Sequence, residues 1–318
     1  MIFGMNTYKS CVKLVDSPNN FRYQVPRVRT MRVFSCILLF TLTQWIAGCV
    51  SVKFIVGQTV EEKSGIFFAG ALSGLEYLRS GERYLIDENG RFIYENSQPI
   101  QFFVGDIALG GQVNGDAVIT PLDLVRSKGE YEQEHVVNLM TFLLTIDADN
   151  EWQNGIQISP YTRTSALGAD LNFSLDAEQF QTDANHQTLI RRLTAQLADG
   201  PRDWANREQA QSFLLKQIEQ QQRGLYRLLF NEFATGNCRS DRHCEALPLS
   251  YQACGPGGYV TLSNVDDNYR QQKQRIEIYY ALDKNRYRLA TKEPKCVQIS
   301  IPQPVCIDSR CVDLTGAL

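Results

Sequence analysis

Six cysteines crowded into the last quarter of the chain, Cys238, Cys244, Cys254, Cys296, Cys306 and Cys311, constrain its folding more than any other feature. An even set confined to one short region reads as a disulfide framework in an exported chain. Zinc ligation is the competing reading. It is the weaker one, because no Cys-x-x-Cys pair occurs and His243, beside Cys244, has no partner histidine nearby. No metal or other cofactor is expected. Spacing alone leaves fifteen pairings open. Each bridge would stabilise by about 2–4 kcal/mol, enough to hold a module with a small core.

Such a framework needs an oxidising compartment, and the start of the chain supplies a route to one. Arg32 gives a positive start after Met31, residues 33–46 form a largely uncharged apolar run, and Ile46-Ala47-Gly48-Cys49 closes it with small side chains before a thiol. The run is too short for a spanning helix, which needs about 20 residues. It resembles a bacterial lipoprotein signal peptide with its lipobox. The resemblance implies cleavage between Gly48 and Cys49, and acylation of the Cys49 thiol by chains such as palmitate. Buried acyl chains contribute about 0.8 kcal/mol per methylene, so several chains hold a protein on its membrane. Val50 and Ser51 follow with no aspartate. Among Gram-negative lipoproteins that favours the outer membrane, so the expected place is the cell envelope, with Cys49 as the tether.

Residues 1–30 carry Lys9, Lys13, Arg22, Arg27 and Arg29, with Pro18 and Pro26 as breakers and no periodic apolar face. Met31 is a natural start. We expect a disordered leader or a misassigned start over 1–30, a signal peptide over 31–48 and a linker over 49–59. The 32 basic and 35 acidic side chains leave a net charge of −3 and no polybasic run, so no nucleic-acid partner is expected.

Between 60 and 115 the pattern changes to short strands and turns. Ile66-Phe67-Phe68, Leu75-Glu76-Tyr77, Arg91-Phe92-Ile93-Tyr94 and Gln101-Phe102-Phe103-Val104 are aromatic or β-branched runs separated by polar turns. Phe92 and Tyr94 fall on one face, and Asn89-Gly90 suits a tight hairpin. The strings Gly74-Leu75-Glu76-Tyr77, Asp87 to Tyr94 and Phe102 to Gly110 are similar to the N-terminal module of uncharacterised bacterial envelope lipoproteins. More loosely they resemble transthyretin-like or carboxypeptidase-regulatory-like domains. The resemblance implies an immunoglobulin-like β-sandwich that serves as a spacer or scaffold.

Residues 116–235 read as helical. The apolar run from Val136 to Leu144 predicts a buried helix ending near Asp147. The loop from Asp147 to Asn154 offers calcium the oxygens of Asp147, Asp149, Asn150 and Asn154. It is not an EF-hand loop, since Trp152 and Ile158 hold the places of the required glycine and glutamate. Leu189, Ile190, Leu193 and Leu197 predict a helix ended by Gly200-Pro201. Asp203 is then the expected cap of a longer helix with Leu214, Ile218, Leu225, Leu229 and Phe233 on one face, and Gln217 and Gln220 to Gln222 mostly on the other. Gly236 marks the hand-over to the last module.

That module, 236–318, is similar to a six-cysteine domain of secreted bacterial proteins, on Cys238 to Cys244, Cys254 to Tyr259, Ser263, Cys296 and the Cys306-Ile307-Asp308-Ser309-Arg310-Cys311 string. Tyr269, Ile276 and Tyr280 predict a helix, with Ser263 and Asp266 resembling a capping box. Gly255 to Gly258 suit a tight turn better than an anion cradle. The fold class expected is therefore α+β: a small sandwich, a helical middle and a disulfide-held end.

Enzyme motifs are missing: no Gly-x-Ser-x-Gly, His-Glu-x-x-His, phosphate-binding or dinucleotide glycine loop occurs, and His135, His186 and His243 neighbour no recognised nucleophile. Asp266 and Asp267 could serve glycosidase chemistry only at a set separation in space. The expectation is a non-enzymatic lipoprotein that binds an envelope protein or glycan in adhesion or assembly. An inhibitor of a secreted hydrolase and an envelope hydrolase are the alternatives.

Overall fold

The computed structural model describes residues 62–95, 98–125, 130–231, 237–290, 296, 297 and 299–313. Gly48, Cys49, the segments 1–30, 31–48 and 49–59, Phe233 and Gly236 lie outside them. The fold is mixed α+β.

Nine short strands open the described chain: β1 Glu62–Phe67, β2 Leu72–Ser73, β3 Glu76–Arg79, β4 Glu82–Leu85, β5 Arg91–Glu95, β6 Pro99–Val104, β7 Ile107–Ala108, β8 Val113–Asn114 and β9 Val118–Ile119. Eight of them divide between a sheet ordered β5-β1-β9 and a sheet ordered β4-β3-β6-β7, with β8 also on β6, and β2 pairs with a later strand. The pairings define several small sheets and do not by themselves define a closed sandwich. Phe92 and Tyr94 do share the inner face of β5. The turn at Asp87 corrects one expectation. Gly90 takes φ +73° and Asp87 accepts from the backbone of Asn89 and Arg91, both at 2.8 Å. However, β4 pairs with β3 and β5 with β1, so this turn passes the chain between sheets and closes no hairpin.

The helical stretch holds α1 Pro121–Leu124, α2 Glu130–Thr145, α3 Pro160–Ser165, α4 Ala177–Thr182, α5 Ala184–Thr194 and α6 Arg207–Asn231, with one two-residue strand, β10 Ile156–Gln157, returning to β2. Caps set the boundaries. Ser159 accepts from Thr162 N–H, Asp176 from Gln179 N–H and Asp183 from His186 N–H. Asn206, not Asp203, caps α6 by accepting from Gln209 N–H at 3.0 Å, while Asp203 pairs with Arg191 at 2.8 Å. Helix α5 stops at Thr194, ahead of Leu197 and Gly200-Pro201.

The terminal module comprises a hairpin, β11 Cys244–Gln252 with β12 Gly255–Ser263, then α7 Tyr269–Ala290, then the small hairpin β13 Val305–Ile307 with β14 Arg310–Val312. The capping-box expectation fails here. Ser263 ends β12, and Asp266 instead accepts from Asn268 N–H at 2.8 Å in the turn before α7. Among the described residues no helix is long and apolar enough to cross a membrane.

One cluster of buried apolar side chains runs from Phe67, Phe92 and Phe102 through Phe142 and Leu143 of α2 and Ile218 of α6 to Leu282 of α7. A second cluster under the hairpin has only four fully buried members, Leu229, Leu247, Leu262 and Ile276.

Candidate functional site

Helix α7 carries Lys273, Glu277, Tyr280 and Lys284 at alternating spacings of four and three, which puts them on one stripe. The helix is fixed from behind. Asp283, buried, accepts from Gln222 Nε2 at 3.1 Å, Tyr251 N–H at 2.8 Å and Arg286 Nη2 at 2.7 Å. Further along, Thr120 Oγ1 lies 3.0 Å from buried Asn285 Oδ1, and Arg288 pairs with Asp123 at 3.2 Å. Gln222 is thus a buried anchor rather than a member of the polar face expected for it.

With its back held, α7 turns the stripe towards β1, β5 and β9. Between them lies an open cleft of about 1000 Å³, lined by the stripe, by Arg270 and Gln274, and by Lys63, Tyr94, Asn114 and Asp116 from the opposite wall. Leu247 and Pro248 of β11 close one end.

Charges in and beside the cleft influence one another. Burial raises the Glu277 carboxyl above its ordinary value, Lys273 and Lys63 oppose the rise, and Asp116 adds to it. Tyr94 is raised by burial and by Asp116 and Glu277. Lys273 Nζ donates to Glu245 Oε1 at 2.9 Å, which raises the ammonium's pKa and fixes its charge. On Glu245, burial opposes ionisation, but hydrogen bonds from Tyr269 and Lys273 outweigh it and hold the carboxylate down. The cleft therefore presents fixed cations, hydrogen-bonding carboxyls and two phenol rings. None of the three histidines lines it.

The sites expected from sequence lie elsewhere. The six cysteines form three disulfides, Cys238–Cys306, Cys244–Cys311 and Cys254–Cys296, and so select one pairing from the fifteen. The side chains of the 147–154 loop bond to the loop and to its neighbours Gln157 and Asp199, except Asp147 Oδ2, which has no hydrogen-bond partner. Asp147 Oδ1 accepts from Gln157 N–H at 2.7 Å, Asp149 accepts from Glu151 N–H at 2.9 Å and Asn154 Nδ2 at 3.0 Å, and Asn150 Nδ2 reaches Asp199 at 3.4 Å. The Gly255 to Gly258 expectation is corrected: Ala253 and Cys254 form the turn, Gly255, at φ +121°, pairs with Gln252 beside it, and Gly255 to Gly258 run in strand β12. Asp266 and Asp267 sit on the turn before α7 and do not line the cleft. Among the described residues, the group of His, Cys, Asp and Glu atoms close enough to share a metal is Cys238, Cys244 and Cys311, and all three are committed to disulfides.

The stripe had a sequence signal, since charged and aromatic residues recur along α7. What sequence reasoning missed was its opposite wall. Lys63 and Asp116 are brought there by strand pairing between distant segments. Comparison with protein-family models, curated proteins and solved structures found no match in any of the three.

Proposed function

We propose that this chain is a lipid-anchored cell-envelope protein that binds a hydroxyl-rich ligand, an envelope glycan, in the cleft along α7. The cleft carries the reading. A saccharide offers hydroxyls that both donate and accept, and faces of C–H groups that pack on aromatic rings. Asn114 and Gln274 supply both hydrogen-bonding senses, Lys284 and Glu277 supply charge-assisted ones, and Tyr94 and Tyr280 supply the rings. The tether is the acyl group on Cys49, a proposal resting on the Arg32 to Cys49 pattern. The strands of 62–119 then act as the scaffold that supplies the cleft's opposite wall, the scaffold part being one that an immunoglobulin-like sandwich plays in the envelope lipoproteins they resemble. Adhesion or envelope assembly follows from a tether and a binding cleft on one molecule.

Two measurements test this. Cys49→Ser is expected to leave a longer precursor that incorporates no labelled fatty acid; normal labelling would remove the anchor. Glu277→Ala and Lys284→Glu are each expected to weaken retention on immobilised envelope polysaccharide about tenfold, roughly 1.4 kcal/mol. Retention by both variants equal to that of the parent chain would remove the cleft from the binding site.

A second reading, inhibition of a secreted hydrolase, is favoured by the segment from Ile299 to Ile307. Ile299, Ile301 and Ile307 there are 40%, 71% and 46% exposed, while Cys296 and Cys306 pin the segment at both ends. A rigid loop with apolar side chains docks at low ordering cost. Stoichiometric loss of a lysozyme's or protease's activity on adding the chain would move the function from the cleft to this segment.

A further inference from the structure

Two of the three disulfides lie against each other. The Sγ atoms of Cys238, Cys244 and Cys311 are all within 4.8 Å of one another, and the fourth sulfur, that of Cys306, is bonded to Cys238. The Cys238 sulfur thus neighbours both sulfurs of the other bridge, while the Cys306 sulfur lies outside that group of three. The hairpin register adds a second, independent fact. Cys306 stands directly opposite Cys311 across β13 and β14.

The turn between them has Asp308 at φ +49° and Ser309 at φ +60°, the two-residue form with both central residues left-handed. Ile307 and Arg310 close that turn, so Cys306 and Cys311 form the next pair out, the one without ladder hydrogen bonds. Facing Cα atoms in such a pair approach to about 4.5 Å, inside the range of roughly 4.4–6.8 Å that disulfides span. On the other side, the 3-10 turn Asp241–His243 folds the chain back between Cys238 and Cys244, and Asp241 Oδ1 accepts from Cys306 N–H at 2.9 Å to hold the two halves together.

We infer that these two bridges form one exchange unit, which a thiol catalyst converts from Cys238–Cys306 with Cys244–Cys311 into Cys238–Cys244 with Cys306–Cys311. A thiolate attacks the partly exposed Cys306 sulfur, forms a mixed disulfide and expels the Cys238 thiolate. Cys238 attacks the neighbouring Cys244 sulfur, forming Cys238–Cys244 and releasing the Cys311 thiolate. Cys311 then attacks Cys306 across the hairpin, forming Cys306–Cys311 and returning the catalyst. Each step makes one S–S bond and breaks one, with no net transfer of electrons or protons.

The consequence is mechanical. In the first pairing the hairpin of β13 and β14 is tied to residues 238–244 by both bridges. In the second it is closed on itself, and no disulfide ties it to residues 238–244, which leaves the hydrogen bonds from Cys306 N–H to Asp241 and from Thr261 Oγ1 to Cys311 O. The exposed Ile299, Ile301 and Ile307 lie on the part that gains this freedom. Among the described residues, Cys254 and Cys296 have no third sulfur grouped with them, so their bridge is an internal control.

The test uses the oxidised full chain, equilibrated at neutral pH with glutathione and its disulfide, blocked with a maleimide and digested with trypsin. Trypsin cleaves after Arg239, Arg242, Lys295 and Arg310 but leaves Cys244 with Cys254 and Cys296 with Cys306, so a second digestion with thermolysin, before Leu249 and Ile299, places all six cysteines on separate peptides and lets mass spectrometry distinguish the pairings. We expect both pairings, with the second at least tenfold above any bridge joining the unit to Cys254 or Cys296. Recovery of the first pairing alone, or equal scrambling into Cys254 and Cys296, would overturn the inference. Cys306→Ser supplies the second check. Its Cys238 thiol is expected to be found bridged to Cys244 in some molecules and to Cys311 in others, and persistence of Cys244–Cys311 with Cys238 unbridged would count against exchange.

Discussion

Asp147 is wholly buried at the end of α2, with Oδ1 on Gln157 N–H and no partner for Oδ2. Burial pushes its carboxyl up to about 6, the Asp149 carboxylate adds to the rise, and the N–H groups of Gln157 and Ala148 limit it. The folded chain thus holds this proton more tightly than the unfolded chain, whose value is 3.8. Stability from this residue is therefore present at low pH and lost as pH rises from about 4 through 6, by about 3 kcal/mol in all. Asp147→Asn keeps the acceptor and discards the charge. In urea unfolding we expect it to be more stable than the parent by about 2–3 kcal/mol at pH 7.5, with the advantage shrinking towards zero at pH 4. An equal difference at both pH values would show that Asp147 does not titrate in this window. Sequence placed these acids together as a possible cation loop. It could not tell which way each carboxylate points, and that direction is what distinguishes ligands from loop staples.

At the level of elements, local signals were legible and partners were not. The apolar run of Val136 to Leu144 specified α2, and Ile276 with Tyr280 specified α7, because a 3.6-residue period needs only neighbouring residues. The cap of α6 was misplaced by three residues, since Asp203 and Asn206 are chemically equivalent candidates. The choice falls to Asn206 because Ala210, Phe213 and Leu214 begin the buried face. The turn at Gly90 was legible from its residues, but its strands pair with β3 and β1, a non-local outcome. Helix α7 shows the same division, for nothing near Asp283 in sequence announces Gln222 or Tyr251. Asp283→Ala would leave a buried amide, a backbone N–H and a guanidinium without their acceptor. We expect a loss of about 3 kcal/mol in denaturant unfolding, with Asp283→Asn recovering part of it. A loss below about 0.5 kcal/mol in both would mean that α7 is held by its apolar face alone.

For the whole molecule, the balance between the two apolar clusters decides how the end module is held. The large cluster takes in both strand sheets, α2, α5, α6 and Leu282 of α7, so these elements should unfold together. The hairpin of β11 and β12 has only the four-member cluster beneath it, too little apolar burial to offset the ordering of its strands. Disulfides make up the difference. Closing the 68-residue span of Cys238–Cys306 stabilises by about 4 kcal/mol. Cys244–Cys311, closing only a short loop once its neighbour has formed, adds about 3. Reduction should therefore act locally. In hydrogen exchange of the reduced chain we expect amides of 244–263 and 305–312 to lose at least tenfold in protection, while those of α2 keep theirs. If α2 loses protection in step with the hairpin, the bridges support the large core as well, and the module is not a separately held unit. The outcome also bears on the cleft, because β11 closes one end of it through Leu247 and Pro248, whereas Asp283 and Asn285 hold α7 from the core side. Selective loss at the hairpin predicts a reduced protein that keeps the long walls of its cleft and loses that end, and so binds its ligand more weakly without unfolding.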